Sequence, residues 1–424
     1  MHDLVIRGGE VLDGTGAPAQ RADVAIRDGR ISAIDADLQA PARRSIDARG
    51  LVLAPGFIDL CARLREPGHE YKATLESELD AAVAGGVTSL ACPPDTDPAL
   101  DEPGLVDMLR RRAKALARAR VFPIGALTVK LEGERLTEMG QLSDAGCVAF
   151  SQANAPLADT QVLWRALQYA ATFRYPVWLR AEDAGLAKGG VAHDGEIATR
   201  LGLPGIPPFA ETIALATILE LVRATRARVH ICRLSTAGAV DLMRRAKEEG
   251  LPVSCDVALH HVHLCDMDLG YFESQCRLEP PLRSQRDRDA LARGLAEGVI
   301  DCACSDHTPV DEDGKHLPFA LAEPGATGIE LLLPLTLKWG LAQRLGLAAT
   351  LARITSEPAR ILGIDAGRLA PGARADLVLF DPRAPVRITA ESLKSQGKNT
   401  PFLGYELAGG VRLTMVEGSV VYEA

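Results

Sequence analysis

Between residues 55 and 364 short apolar runs alternate with helical patterns, and that alternation leaves few folds open. The runs predict strands at Gly56–Leu60, Val87–Cys92, Val121–Leu127, Cys147–Phe150, Val177–Leu179, Arg228–Cys232, Pro252–Asp256 and Ile300–Cys304. Amphipathic or apolar spacing between them predicts helices such as Leu75–Ala84, Leu105–Ala117, Thr160–Thr172, Glu211–Arg223 and Ala237–Glu248. Eight strands with intervening helices over about 300 residues point to an α/β (β/α)8 TIM barrel, whose active site lies at the C-terminal strand ends.

The ends of the chain follow another rule. Leu4-Val-Ile-Arg-Gly-Gly and Ala22-Asp-Val-Ala-Ile-Arg-Asp-Gly alternate with period two, and Asp28-Gly29 is a hairpin signal. Ala375-Asp-Leu-Val-Leu-Phe-Asp and Val411-Arg-Leu-Thr-Met-Val-Glu-Gly-Ser-Val-Val-Tyr repeat the style. Neither end alone buries both faces of a sheet, so residues 1–54 and 365–424 are expected to form one composite β-sandwich domain beside a barrel over 55–364.

Composition excludes several partners. Lys plus Arg number 47 against 56 Asp plus Glu, and aromatics are 4%, so neither a phosphate-backbone binder nor a base-stacking platform is expected. The Ala/Arg-rich stretch Leu109–Arg120 reads as a solvated helix. Residues 1–10 lack a basic then apolar leader pattern, and the apolar stretch Ile329–Leu341 is interrupted by Glu330, Pro334 and Lys338. It is shorter than the roughly 20 apolar residues of a membrane span, so no membrane association is expected. The nine cysteines form no CxxC pair and sit mostly in apolar runs, which predicts reduced thiols and a cytoplasmic location.

Nine histidines accompany the nine cysteines, an adequate raw supply for a metal centre. The segment Pro55-Gly-Phe-Ile-Asp-Leu-Cys-Ala-Arg-Leu-Arg-Glu-Pro-Gly68 resembles the amidohydrolase superfamily, in particular class I dihydroorotases and allantoinases. Ala84-Gly-Gly-Val-Thr-Ser, Cys92-Pro-Pro-Asp-Thr-Asp-Pro, Arg180-Ala-Glu-Asp, Leu201-Gly-Leu-Pro-Gly-Ile-Pro, His230-Ile-Cys-Arg-Leu-Ser-Thr, Leu278-Glu-Pro-Pro-Leu-Arg283 and Ser305-Asp-His-Thr-Pro extend the resemblance in order along the chain. It implies a barrel whose mouth holds zinc through His-x-His after strand 1, a bridging carboxylate or modified Lys after strand 4, one His each after strands 5 and 6, and an Asp after strand 8. A metal-bound hydroxide would then open a cyclic amide.

At those positions this chain carries Cys61, Arg63, Gln152 with Asn154, Arg180, Arg233 and Asp306. A guanidinium has no lone pair to offer, and one carboxylate with a thiol is not a zinc site. A dication about 5 Å from each guanidinium would be repelled by on the order of 6–7 kcal/mol at an effective dielectric near 20. No zinc and no other cofactor is therefore expected. Of the substrate-side positions, Arg65 keeps the carboxylate-binding arginine that the resemblance implies. Asp95 and Glu279 replace neutral amides, and Val310 stands where a His is common, so recognition of an anionic substrate is expected to be impaired.

Other groups invite a metal or catalytic reading. His260-His-Val-His263 is ordinary in the resemblance and is not a ligand set there; Cys302 and Cys304 alternate along the last strand as packing thiols; His307 beside Asp306 is a candidate acid–base pair left over from lost chemistry. Arg63, Arg180 and Arg233 have two readings. They form an anion site, or they stand in for zinc charge by pairing with Asp59, Asp306, Glu182 or Asp183; the second is the expectation.

A preserved framework without its ligand set resembles the non-catalytic dihydroorotase-like subunits found beside aspartate transcarbamoylase in some bacteria. That resemblance implies no catalysis of its own, six chains of each kind in a 6:6 dodecamer, and a scaffold role in pyrimidine biosynthesis. The rival readings are an active cyclic-amide hydrolase of dihydroorotase or hydantoinase type with an atypical metal arrangement or none, and a free-standing sensor of small anions.

Overall fold

The structure is a computed structural model describing residues 1–424. Eight parallel strands run in chain order: β1 (Phe57–Asp59), β2 (Val87–Cys92), β3 (Arg120–Ala126), β4 (Ala149–Ser151), β5 (Val177–Leu179), β6 (Val229–Ile231), β7 (Val253–Ala258) and β8 (Cys302–Cys304). Each pairs with its sequence neighbour, so the predicted apolar runs become the staves of a barrel. Most are buried at every residue, as expected of strands covered on both faces. The helices Leu75–Ala84, Pro103–Leu116, Thr160–Phe173, Phe209–Thr225 and Ala237–Glu248 match the predicted segments to within a few residues. Local chemistry sets their starts: Thr74, Asp159 and Thr236 each accept backbone N–H groups of the first turn.

The barrel closes just beyond β1 and β8. Ala62 bridges to His307, whose N–H donates to the Cys61 carbonyl (3.1 Å) and whose own carbonyl accepts from Arg63 N–H (2.9 Å). The closing seam therefore carries several residues singled out from sequence. Behind it, His307 Nε2 lies 2.5 Å from Glu78 Oε2, both fully buried, while Nδ1 accepts from Gly328 N–H (3.2 Å). The ring thus faces away from Asp306, and the expected acid–base pairing of those neighbours is not formed.

The termini build one hydrogen-bonded sheet of eight strands. Val52–Pro55 runs antiparallel to Leu377–Arg387, with Leu377 opposite Pro55 and Phe380 opposite Val52, which joins the two ends of the chain. Asp28 and Gly29 turn the hairpin between Gln20–Arg27 and Arg30–Asp35 with φ of 52° and 74°. A side chain at Gly29 would also meet the Glu417 carbonyl at 2.8 Å. Leu4, Ile6, Val24, Ile26, Leu377, Leu379, Leu413 and Met415 belong to a core of 15 buried residues, separate from the 78-residue core of the barrel and its helices. A third cluster of 13 buried residues, among them Ile58, Cys302 and Cys304, is built from the barrel strands and the segment after them.

The stretch Ile329–Leu341 becomes a 3-10 turn followed by the helix Leu332–Ala342, with Pro334 in its first turn where a missing N–H costs little. No helix is long and apolar enough to cross a membrane. All nine cysteines are free thiols.

The loop from His307 to Gly328 is held from outside. Asn399 donates to the carbonyls of Thr308 and Gly325 (both 3.0 Å) and accepts from Val310 N–H (2.9 Å). Lys315, buried in a short helix, donates to the carbonyls of Ser274 and Arg277 (3.2 and 3.1 Å). Asn399→Ala strands three buried backbone groups and is expected to cost about 2–3 kcal/mol. Urea denaturation measures that loss, and limited proteolysis should place new cleavage within residues 308–325.

Candidate active site

Cys61, Arg63, Gln152, Asn154, Arg180, Arg233 and Asp306 all follow the C-terminal ends of barrel strands, so they share one mouth. The backbone there is forced: Arg65, Ala153, Arg233 and Asp306 have φ of 64°, 50°, 56° and 46°. Left-handed non-glycine residues cost of order 1–3 kcal/mol each and persist where surroundings over-determine them. Here the surroundings are ionic.

Asp306 Oδ1 accepts from Arg63 Nη1 (3.0 Å) and Arg233 Nη1 (2.8 Å), and the Cys61 thiol lies 3.3 Å away. Asn154 links all three arginines. Its Oδ1 accepts from Arg63 (3.1 Å) and Arg233 (2.6 Å), and its backbone carbonyl accepts from Arg180 (2.9 Å). Arg63 Nε also donates to Asp95 (2.7 Å). Arg180 grips Glu182 with both Nη groups (2.7 and 2.8 Å) and reaches Glu279 (2.8 Å). Gln152 is turned aside, between Thr128 Oγ1 (3.0 Å) and the Leu131 carbonyl (2.8 Å).

Of the expected partners for the arginines, Asp306 and Glu182 serve. Asp59 and Asp183 do not. Asp59 is buried against Ser305, and burial pushes its carboxyl up to about 6; Asp183 caps the short helix Ala184–Ala187. Asp95 and Glu279 take their places, which corrects the expectation that these two carboxylates repel an anionic substrate: arginines already bind both. Arg65 differs from its neighbours. It donates through Nε to the Pro309 carbonyl (2.8 Å) and pairs with no carboxylate.

Burial alone would raise the Asp306 carboxyl, but Arg233 and Arg63 override it and hold the group well below the usual carboxylate range. Burial pushes the Cys61 thiol well up. The mouth therefore offers an ionised carboxylate already saturated by guanidiniums and a protonated thiol. These residues do not fit the zinc pair of the resembled family, because cationic donors occupy the directions from which metal ions would bind.

A different donor group lies between β6 and β7. His230 Nε2 is 2.9 Å from Asp256 Oδ2, His230 Nδ1 is 2.8 Å from Ser254 Oγ, and the ligand atoms of His230, Cys232 and Asp256 lie within 4.8 Å of one another. Imidazole, thiolate and carboxylate are the donors a borderline ion such as zinc accepts, but burial pushes the Cys232 thiol well up and Asp256 Oδ1 already accepts from Arg233 N–H (2.6 Å), so an ion would have to displace the thiol proton. Cys304 sits beside them, its sulfur 3.6 Å from Asp256 Oδ1, while Cys302 packs with Cys304 in an apolar barrel-interior cluster. The signal available in sequence was the His230-x-Cys232 spacing, which puts two side chains on one strand face. Asp256 is joined to them only by the parallel register that sets Ile231 opposite Cys255.

His260 and His261 are buried with ring centroids 4.7 Å apart, and His263 is half-buried. His261 Nε2 meets the Pro280 carbonyl (3.0 Å) and His263 Nε2 the Leu335 carbonyl (2.9 Å), while His260 Nε2 is unpartnered 3.9 Å from Asp306 Oδ2. Desolvation lowers all three rings, His260 and His263 to about 4 and His261 to about 3. A ring depressed on folding contributes stability that is complete above the unfolded value near 6.5 and fades as pH falls toward the folded one. Lowering pH from 7 to 5 is thus expected to remove about 2 kcal/mol for each of His260 and His263. Asp306 adds a lower limb, complete above about pH 4 and lost below it. Denaturant melts from pH 7 to 3 test both, and Asp306→Asn should cost about 3–5 kcal/mol at pH 7, because two buried arginines lose their shared partner.

Comparison with known proteins extends these observations. A dihydro-orotase-like family model matches residues 50–239, and an amidohydrolase family model matches 210–422. A dihydroorotase-like protein of Pseudomonas aeruginosa is 46% identical over 424 residues, covering 99% of each chain. A protein of Citrifermentans bemidjiense named dihydroorotase is 40% identical over 423 residues, covering 100% of each. Among solved structures, the L-hydantoinase (dihydropyrimidinase) of Arthrobacter aurescens superposes with a TM-score of 0.88 at 25% identity, covering 100% of this chain and 96% of that one. These likenesses to enzymes, with the His230–Cys232–Asp256 group, overturn the expectation that the chain is not an enzyme. That expectation rested on the mouth alone and passed over the donors between β6 and β7. The chain belongs to the amidohydrolase family, among its dihydroorotase-like members.

Proposed function

We propose that the chain opens or closes a carboxylate-bearing cyclic amide of the dihydroorotate or hydantoin kind, at a centre other than the family's zinc pair. The observation that carries this reading is Arg65, which alone among the mouth arginines pairs with no carboxylate. A fixed guanidinium with free donors is matched to a carboxylate by two parallel hydrogen bonds. Burial lowers the Arg65 pKa, a bias that an incoming anion relieves. At the same barrel mouth, ionised Asp306 and neutral His260 face each other across 3.9 Å, and the imidazole Nε2 has no other partner. The imidazole can take and return one proton, its charged form stabilised by the permanently ionised carboxylate, while ring opening adds water across the carbon–nitrogen bond. A metal ion held by His230, Cys232 and Asp256 would supply Lewis acidity and a more acidic water.

The test is turnover by the purified full chain, followed in both directions with dihydroorotate, its ring-opened acid and a hydantoin, after loading with zinc and after chelation. Arg65→Ala should raise KM about 10- to 100-fold with little change in kcat, the signature of lost ground-state binding. Cys232→Ser should lower both bound metal and rate. The reading fails if no ring is turned over under any condition, or if Arg65→Ala leaves KM unchanged.

A second reading concerns assembly and is favoured by the arginine-filled mouth. Guanidiniums supply the positive charge that the resembled enzymes take from metal ions, which would let the barrel framework stand without one. Such a framework suits a cytoplasmic scaffold for aspartate transcarbamoylase catalytic chains, six of each kind, in pyrimidine biosynthesis. The acidic balance of the chain, a net charge of −9, allows a partner to be steered by charge. Purification from the native cell should bring transcarbamoylase chains and activity with this chain, and deleting it should lower that activity. A transcarbamoylase of unchanged size and activity in the deletion strain would end this reading.

A further inference from the structure

A groove of about 620 Å³ lies between the helix Pro103–Leu116 and the terminal sheet, near the N-terminal end of β3 and so remote from the mouth. The helix and the residues after it carry the Ala/Arg-rich stretch Leu109–Arg120. Six cationic side chains line the groove: Arg110, Arg111, Lys114, Arg118, Arg120 and Arg374. Only Asp107 and Glu417 line it with the opposite sign. In a chain of net charge −9 that is a local reversal of sign.

The cations are not consumed by one another's partners. Arg118 pairs with Asp80 (2.6 Å), Arg120 with Asp376 (2.6 Å) and Arg374 with Glu417 (3.3 Å). Arg111 meets Asp107 only at 3.8 Å, however, and Arg110 donates to a backbone carbonyl, that of Ala145 (2.6 Å). Lys114 is in no ion pair, and Arg120 Nε is a buried donor without an acceptor. Beside these donors the lining is apolar, with Phe122, Val416 and Val421. We propose that this groove binds a small organic phosphate carrying a flat ring, the phosphates held by Lys114, Arg110 and Arg111 and the ring laid against Phe122 and the valines. The volume suits a nucleotide-sized ligand, and forked guanidiniums suit phosphate oxygens. A macromolecular polyanion is disfavoured, since the charge is confined to one groove on an acidic surface.

Isothermal titration of the full chain with inorganic pyrophosphate, adenosine 5′-triphosphate and uridine 5′-triphosphate tests the site. At least one nucleotide should saturate, bind more tightly than pyrophosphate, and weaken at least tenfold in the double variant Arg111→Glu/Lys114→Glu. Both side chains are exposed, so the variant should keep the parent melting temperature. Should it fold poorly, Lys114→Gln is expected to weaken binding by a smaller factor on an unchanged fold. The proposal is overturned if the variants bind as the parent does, if pyrophosphate binds as tightly as both nucleotides, or if only a polymer such as poly-glutamate saturates.

Discussion

One carboxylate oxygen organises the mouth of this barrel. Asp306 Oδ1 is shared by Arg63 from the β1 end and Arg233 from the β6 end, which ties opposite sides of the ring together. The left-handed backbone at Arg233 and Asp306 is sustained by that arrangement, and Asn154 extends it to Arg180. A buried ion pair gains little net stability over a well-packed apolar alternative, yet losing one partner is costly. The lattice therefore specifies the shape of the mouth more than it strengthens the fold.

The same lattice decides which chemistry is open to the site. Arg63, Arg180 and Arg233 are each committed to carboxylates or to Asn154, so the density of arginine does not amount to an anion-binding pocket. Arg65, held only through its Nε, retains the capacity to receive a ligand. His230, Cys232 and Asp256 form a second donor group, tied to the arginine lattice where Arg233 N–H donates to Asp256 Oδ1 (2.6 Å).

Much of this was legible in the sequence. Strands such as Val87–Cys92 and Val177–Leu179 and helices such as Leu75–Ala84 and Ala237–Glu248 declare themselves, because unbroken apolar runs and 3.6-residue periodicity are local signals. Arg63, Arg180, Arg233 and Asp306 were legible through their place in ordered motifs. Partnerships across strands were less so. Nothing near Asp95 or Glu279 in sequence says that each carboxylate meets an arginine, and nothing near Asp256 says that it meets His230. Those contacts depend on parallel register and on side-chain reach, which a single chain does not print. His307 shows the converse: adjacency to Asp306 suggested a pair, but the closing seam turns the imidazole toward Glu78.

Asn154 and the shared Asp306 oxygen also constrain how this mouth can change over time. Exchanging Arg63 or Arg233 for histidine takes one of two guanidiniums from Asp306, exchanging Arg180 unpairs Glu182 and Glu279, and each exchange leaves Asn154 short of a donor. The ligand set of the resembled enzymes could be built here only through several replacements made together, because the partners of each arginine are shared with another. The arginines thus act as a mutual lock, which makes the mouth resistant to piecemeal change.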